Sequence, residues 1–259
     1  MPHSTENTAK QKAQANKLAL FVSDVHLSPA LPKTTEGFLS FLRDQARETE
    51  RLYILGDLFE YWAGDDDLDD AYNQIVVQAL KQVSEDGVKL FWIAGNRDFL
   101  IGSKFCETIG AAALNDPSSL ELNGKRLLLS HGDALCTDDT GYMQFRQMVR
   151  NPIWQEQFLE KPLSERKAII EGMRKMSHQE QQNKRMEIMD VNLNAVNDLV
   201  KAYPGCTLIH GHTHRNAIHD EEFAQRYVLP DWDFDHSVHT RGGYLALEHD
   251  GQLRFVNLA

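Results

Sequence analysis

The sequence predicts an α/β fold, a sheet covered by helices that carries its chemistry at the strand ends. Two observations predict it. Apolar runs of strand length alternate with amphipathic helical stripes in the order β, α, β, α, β, α through the first half of the chain. In addition, five apolar runs end in Asp, Asn or His: LALFVSDVH in Asp24 and His26, LYILGD in Asp57, VKLFWIAGNRD in Asn96, RLLLSHGD in His131, and CTLIHGHTH in His212 and His214. A single Asp after a strand is an ordinary turn former. Five polar strand ends together point to a site, because open α/β sheets keep their ligands beyond the carboxyl ends of their strands.

Residues 1–17 are polar, poor in bulky apolar side chains and expected to be disordered, so structure is expected over 18–259. After the first strand and its loop, residues 35 to 47 read as a helix with Phe38, Leu39 and Leu42 on one face. The second strand leads through the acidic loop YWAGDDDLDD into a helix striped by Tyr72, Ile75, Val76, Ala79, Leu80 and Val83, which Gly87 ends. Acids just before a helix are favoured by its dipole, so Asp65, Asp66, Asp67, Asp69 and Asp70 need no ion to explain them. VKLFWI is the third strand, Phe105 and Ile109 mark a short helix, and RLLL is the next strand. The pattern then changes: more than sixty residues lack a strand signal and carry helical stripes such as Tyr142, Phe145, Val149 and Met189, Val196, Val200. CTLI, RYVL, GYLALE and LRFVNL restore short strands, so 136–203 read as a helical insertion between two halves of one sheet-based domain.

A formal charge of -11 argues against nucleic acid as a partner. Residues 142 to 203, however, hold ten Lys/Arg against eight Asp/Glu, or +2, which leaves -13 for the remainder. Cys106, Cys136 and Cys206 are odd in number and form no CxxC pair, so neither a disulfide framework nor a zinc knuckle is indicated, and a reducing cytoplasm fits. No apolar stretch approaches the ~18 residues that cross a bilayer, and the first residues have no apolar signal core.

The strand ends supply two carboxylates (Asp24, Asp57), one amide (Asn96) and four imidazoles (His26, His131, His212, His214). Such an O/N set without thiolates suits Mn²⁺, Fe²⁺ or Zn²⁺. It is too large for one catalytic ion with open positions, but two ions about 3.5–4 Å apart that share a carboxylate would use it, lowering the pKa of water and stabilising phosphoryl charge. Asp57 is the candidate bridge, since it follows a strand expected to be central. His210 reads as a packing histidine, His219, His236, His239 and His249 follow no strand-end pattern, and Lys184 and Arg185 are also explained as a solvated helix face.

The ordered series DVH (24–26), GDLFE (56–60), GNRD (95–98), SHGD (130–133) and GHTH (211–214) resembles that of the calcineurin-like metallophosphoesterases. The resemblance implies a four-layer αββα sandwich, here with a helical cap insertion over about 136–203. Residue by residue, it places Asp24, His26, Asp57 and His214 around one metal and Asp57, Asn96, His131 and His212 around the other. The wider family has His after Gly-Asn, as proton donor or transition-state stabiliser; this chain has Arg97.

With that departure, GNRDFLIG, SHGDALCTDD, IMDVN and IHGHTHR resemble the narrower family of UDP-2,3-diacylglucosamine hydrolases, which cleave a nucleotide-lipid pyrophosphate in lipid A biosynthesis. This implies two divalent ions, with Mn²⁺ the expected metal, and a catalytic group of Asp57, Asn96, Arg97 and His131. It also implies substrate contacts from Asn96, Arg97, Asp139, Ser177, Lys184 and His212, and from Gln181 where the relatives commonly have Asn. The implied setting is the cytoplasmic side of the inner membrane, with peripheral attachment and no protein partner. Phe145, Trp154, Phe158 and six of the seven Met fall between 142 and 203, where they serve either ordinary packing or a surface for flexible acyl chains. Two other readings stay open: a phosphoesterase acting on soluble nucleotide polyphosphates or phosphoprotein, and a metal-free scaffold. Intact ligand positions argue against the scaffold.

Overall fold

A computed structural model describes residues 17–183, 190–236 and 238–259, with the backbone alone for 176–183. Of the segment expected to be disordered, only Lys17 is described, and it opens the first strand. The parallel strands β1 (Lys17–Val22), β2 (Arg51–Leu55) and β3 (Lys89–Ile93) are joined by helices α1 (Pro32–Asp44) and α2 (Ala71–Glu85). Helix α1 starts three residues before the sequence pattern, because Pro32 occupies the first turn, where its missing N–H costs nothing. Then come α3 (Ser103–Ile109), β4 (Ala111–Ala113), β5 (Ser118–Leu122) and β6 (Lys125–Leu129). Among the described residues, helices α4 (Thr140–Val149), α5 (Pro152–Leu159), α6 (Leu163–Asn183) and α7 (Leu193–Ala202) separate β6 from β7 (Thr207–His210). Strands β8 (Ala217–Asp220), β9 (Gln225–Val228), β10 (Gly243–Glu248) and β11 (Leu253–Asn257) complete the chain. The sequence pattern missed β4, β5 and β8, whose alanine, serine and alternating polar residues carry no apolar run.

The strands form a sheet of six, ordered β11-β10-β1-β2-β3-β4, and a sheet of five, ordered β5-β6-β7-β9-β8. Successive strand residues point to opposite faces, so a strand buried on both faces reads as a continuous apolar run. Leu20, Val22, Leu52, Ile54 and Trp92 pack outward against Phe38, Phe41, Val76, Leu80 and Phe105 of α1, α2 and α3. Ala19, Phe21, Tyr53, Leu55 and Ile93 face inward against Leu127, Leu129 and Ile209 of the second sheet. On that sheet's outer face, Leu128 and Leu208 meet Val196 and Val200 of α7. The layers are therefore helix, sheet, sheet, helix, as expected.

The acidic loop holds no candidate metal cluster among the described residues. Asp70 caps α2 by accepting from Tyr72 N and Asn73 N, as helix-start acids do. Asp65 accepts from Trp62 Nε1 at 3.0 Å, Gly102 N at 2.9 Å and Phe105 N at 3.0 Å, which fixes the start of α3. Asp66 pairs with the buried Arg166 of α6, and Asp67 with Lys167 at 2.6 Å. These acids dock α6 onto the sheet domain. Trp154 and Phe158 of α5 stack at 4.8 Å, and Phe158 joins the core, so packing accounts for that pair and not a lipid surface. The three cysteines are buried. Among the described residues no helix is long and apolar enough to cross a membrane.

Candidate metal centre

Because β1, β2 and β3 run parallel in register, the loops after them leave the same sheet edge and bring Asp24, Asp57 and Asn96 together. The parallel pair β6 and β7 does the same in the second sheet with His131 and His212. Among the described residues, six non-glycine positions have positive φ, and five of them are candidate ligands: Asp24, His26, Asp57, His212 and His214. Such backbone is costly for side chains with a Cβ and gathers where function demands a particular aim.

The donor atoms converge. Asp24, His26 and His214 form one group within 4.8 Å, and Asp24, Asp57 and His131 a second. Asp57 spans both sides, with Oδ1 3.7 Å from His131 Nε2 and Oδ2 4.0 Å from His26 Nε2. Asn96 Oδ1 lies 2.9 Å from His131 Nε2 and 2.8 Å from His212 Nδ1. His26 Nε2 and His214 Nε2 face each other at 3.2 Å. All seven sequence-predicted ligands thus meet in one cluster.

The chemistry of this donor set fits cations. His131 Nδ1 donates to Leu55 O at 2.9 Å, which leaves the lone pair of a neutral ring at Nε2 aimed at the acceptor Asn96 Oδ1. Between these two atoms either a proton on Nε2 or a metal ion supplies the positive charge. Burial pushes His131 toward the neutral form, yet Asp57, Asp133 and Asp24 prevail and hold its pKa up at about 9. Burial and the neighbouring His131 drive His212 down to about 3. Burial opposes the charge on Asp24, but His214, His131 and His26 keep its carboxyl far below the usual range.

Several supporting residues went unassigned from sequence. Glu60 Oε2 sits 3.0 Å from His26 Nδ1 and also holds Arg174 of α6. Its burial is outweighed by His26, Arg97 and Arg174, which bring its pKa down to about 2. Asp231 Oδ2 lies 3.5 Å from His214 Nδ1. Such outer partners orient ligating imidazoles. Asp98 ties two ligand loops by accepting from Leu58 N at 2.8 Å and Gly95 N at 2.9 Å; burial and the Asp57 charge raise its pKa to about 7. Asp133 accepts from Tyr142 Oη at 2.7 Å and Arg146 Nε at 2.8 Å, which seats α4 beside the cluster. Glu60, Asp98 and Asp133 each close a motif already visible in the sequence, and that position was the signal; Asp231 offered none.

Arg97 N donates to Asp57 Oδ1 at 2.8 Å. Its half-buried guanidinium has no ion pair among the described residues. Asp139 caps α4 through Tyr142 N at 3.0 Å. Ser177 and Gln181 lie on α6 beyond the described side chains, and Lys184 lies outside the described residues. His210 is a packing residue, buried, with Nδ1 2.9 Å from Gly211 O; burial depresses its pKa to about 4.

Gly95 is required by close approach, since a Cβ there would lie 2.1 Å from Asp57 Oδ1. Gly95→Ala is therefore expected to displace the Asp57 carboxylate and lower turnover by roughly 10²-fold, the cost of about 1 Å of misplacement. Steady-state kinetics with bound-metal analysis will check it; unchanged turnover would show that the carboxylate position is not critical.

Two stacked sheets whose strand ends pool carboxylates, an amide and imidazoles form the scaffold of a phosphoesterase, and the chain belongs to the calcineurin-like phosphoesterase family, whose model matches residues 18–216. That domain implies divalent metal ions, and the Asp/His groups above could bind them. Within the family, the chain is 49% identical over 221 residues to the UDP-2,3-diacylglucosamine hydrolase of Aromatoleum aromaticum, covering 84% of this chain and 90% of that protein. It is 46% identical to the protein of that name from Chromobacterium violaceum (92% and 98% covered) and 45% identical to that from Escherichia coli O6:H1 (89% and 95% covered).

Proposed function

We propose that the chain hydrolyses the pyrophosphate of UDP-2,3-diacylglucosamine, yielding UMP and 2,3-diacylglucosamine 1-phosphate. The observation that carries the reading is Arg97, held beside Asp57 by its backbone N–H, with its charge close enough to the cluster to lower the Glu60 carboxyl. An alcohol leaving group needs a proton donor, and the wider family's His would serve. A phosphate monoester, with a second pKa of about 6, leaves near neutral pH without one. A fixed bidentate cation that neutralises the phosphates is then the better residue.

Asp24, His26, Asp57 and His214 would hold one ion and Asp57, Asn96, His131 and His212 the other, with Mn²⁺ the proposed metal. When bound, the ions supply Lewis-acid stabilisation of phosphoryl charge and make water acidic enough to attack. The protein's own groups orient this machinery: Asp98 locks the loops bearing Asp57 and Asn96, while Glu60, Leu55 O and Asp231 aim His26, His131 and His214. Asn96, Arg97 and His212 would contact the phosphates and Asp139 the glucosamine end, with Ser177, Gln181 and Lys184 the further substrate contacts that the family resemblance implies.

The helical segment over about 136–203 is the proposed acyl-binding cap. Met148 and Ile153 are exposed there, on a segment that is slightly cationic while the remainder is strongly anionic. Each buried acyl methylene contributes about 0.8 kcal/mol, so partial enclosure of two chains would hold the substrate firmly. Attachment is then peripheral, on the cytoplasmic side of the inner membrane, because an acidic protein needs a local site on an anionic leaflet. Changing Phe145 and Met148 to serine is expected to raise KM for the diacylated substrate by about tenfold or more, the worth of two lost methylene contacts, and to leave hydrolysis of p-nitrophenyl phosphate nearly unaltered. Equal losses on both substrates would make the segment structural support only.

The function is tested by giving Mn²⁺-loaded protein UDP-2,3-diacylglucosamine, diadenosine tetraphosphate and p-nitrophenyl phosphate. The reading expects the highest kcat/KM on the first, with UMP released. Preference for either soluble substrate would overturn it.

A further inference from the structure

We propose that the uridine end of the substrate occupies the cavity on the far side of His214, an assignment that rests on the substrate reading above. The cavity has a volume of about 410 Å³ and is lined in part by Asp190, Thr213, His214, Arg215, Asn216 and His219. That size is within the range of small-molecule sites.

Three observations carry the proposal. The first is position. The scissile pyrophosphate must lie over the ligand cluster, and the diacylglucosamine end is assigned to the side of α4 and α6, where Asp139 caps α4 and Arg174 of α6 meets Glu60. The other end must leave the cluster elsewhere. His214, the most exposed candidate ligand, is shared between the cluster and the cavity wall, so the cavity opens where a second substituent of the pyrophosphate would emerge.

The second observation is the chemistry of the lining. Asn216 is exposed and offers an amide whose paired donor and acceptor match the imide edge of uracil. Thr213 has a hydroxyl with no partner among the described residues, and such a group is costly unless a ligand or water completes it. His219 brings an imidazole able to stack on a base. Arg215, paired with Asp190, places a guanidinium and a carboxylate on one wall, suited to the phosphate and the ribose hydroxyls.

The third is the contrast with the other large cavity, about 520 Å³, on the outer side of α4. Its cations are committed: Arg146 to Asp133, and Arg150 to Ala94 O at 3.1 Å and Gly95 O at 2.9 Å. None of its lining residues is a candidate ligand, whereas His214 belongs both to the cluster and to the wall of the proposed cavity.

The test is calorimetric binding of UMP and of ribose 5-phosphate to the full chain loaded with Mn²⁺, for wild type, Asn216→Ala and His219→Ala, with circular dichroism as a check on folding. UMP is expected to bind wild type at least about tenfold more tightly than ribose 5-phosphate, the value of one or two base contacts, and each variant should lose most of that margin. Equal affinities in wild type would overturn the proposal. So would variants that keep the full preference, or a Gln144→Ala/Gln147→Ala protein, altered in the cavity on α4, that loses it. UMP binding is read without lipid, so a protein that binds UMP through Asn216 but spares UDP-2,3-diacylglucosamine contradicts the substrate and not the subsite; cleavage with indifference to Asn216 does the reverse.

Discussion

Replacing Asp57 by alanine is expected to lower turnover by at least roughly 10³-fold, equivalent to about 4 kcal/mol of barrier, with loss of bound metal. Asp57 faces imidazoles from both ligand sets with its two oxygens, at 3.7 Å to His131 and 4.0 Å to His26. It also accepts from Arg97 N at 2.8 Å, so its removal disturbs the loop that carries Asn96 and Arg97. Buried Asp98 cannot replace it, because both its oxygens are occupied by backbone N–H groups. A variant that keeps more than a tenth of the wild-type rate with unchanged metal content would place the bridge elsewhere.

Arg97→Lys is expected to lower kcat on UDP-2,3-diacylglucosamine by roughly 10²-fold, the loss typical of removing one preorganised donor to transition-state charge. The substitution keeps a positive charge and removes the planar fork that contacts two phosphate oxygens at once. Stability should hardly change, because the Arg97 guanidinium has no ion pair among the described residues and its backbone N–H to Asp57 remains. Thermal melts beside kinetics separate the two effects. Arg97→Ala with normal turnover would remove this residue from the mechanism, and recovery of phosphoester hydrolysis in Arg97→His would show that the wider family's proton donor can be restored at this position.

Much of this architecture was legible because the chemistry sits where strands stop. A strand buried on both faces must be apolar throughout, so Asp24, Asp57, Asn96, His131 and His212 stand out against the runs before them. The weak strands β4, β5 and β8 were illegible for the complementary reason: edge positions and half-exposed faces impose no apolar pattern. Pairing over long sequence separations was also hidden. Nothing local announces that Asp231 reaches His214, that Glu60 joins His26 to Arg174 of α6, or that Asp65 caps α3 from 37 residues away. The acids of the YWAGDDDLDD loop illustrate the limit: helix-start preference accounts for Asp70, whereas Asp66 and Asp67 are explained only by Arg166 and Lys167, about a hundred residues downstream.

The proposed metal centre gathers strand ends from two sheets, with Asp57 joining two ions. Its most direct measurement is Mn²⁺ titration of the metal-free protein followed by electron paramagnetic resonance at low temperature, with the bound metal counted independently. Two Mn²⁺ per chain are expected, magnetically coupled in wild type and uncoupled or lost in Asp57→Ala. One Mn²⁺ per chain at saturation, or two that remain uncoupled in the wild-type protein, would contradict it.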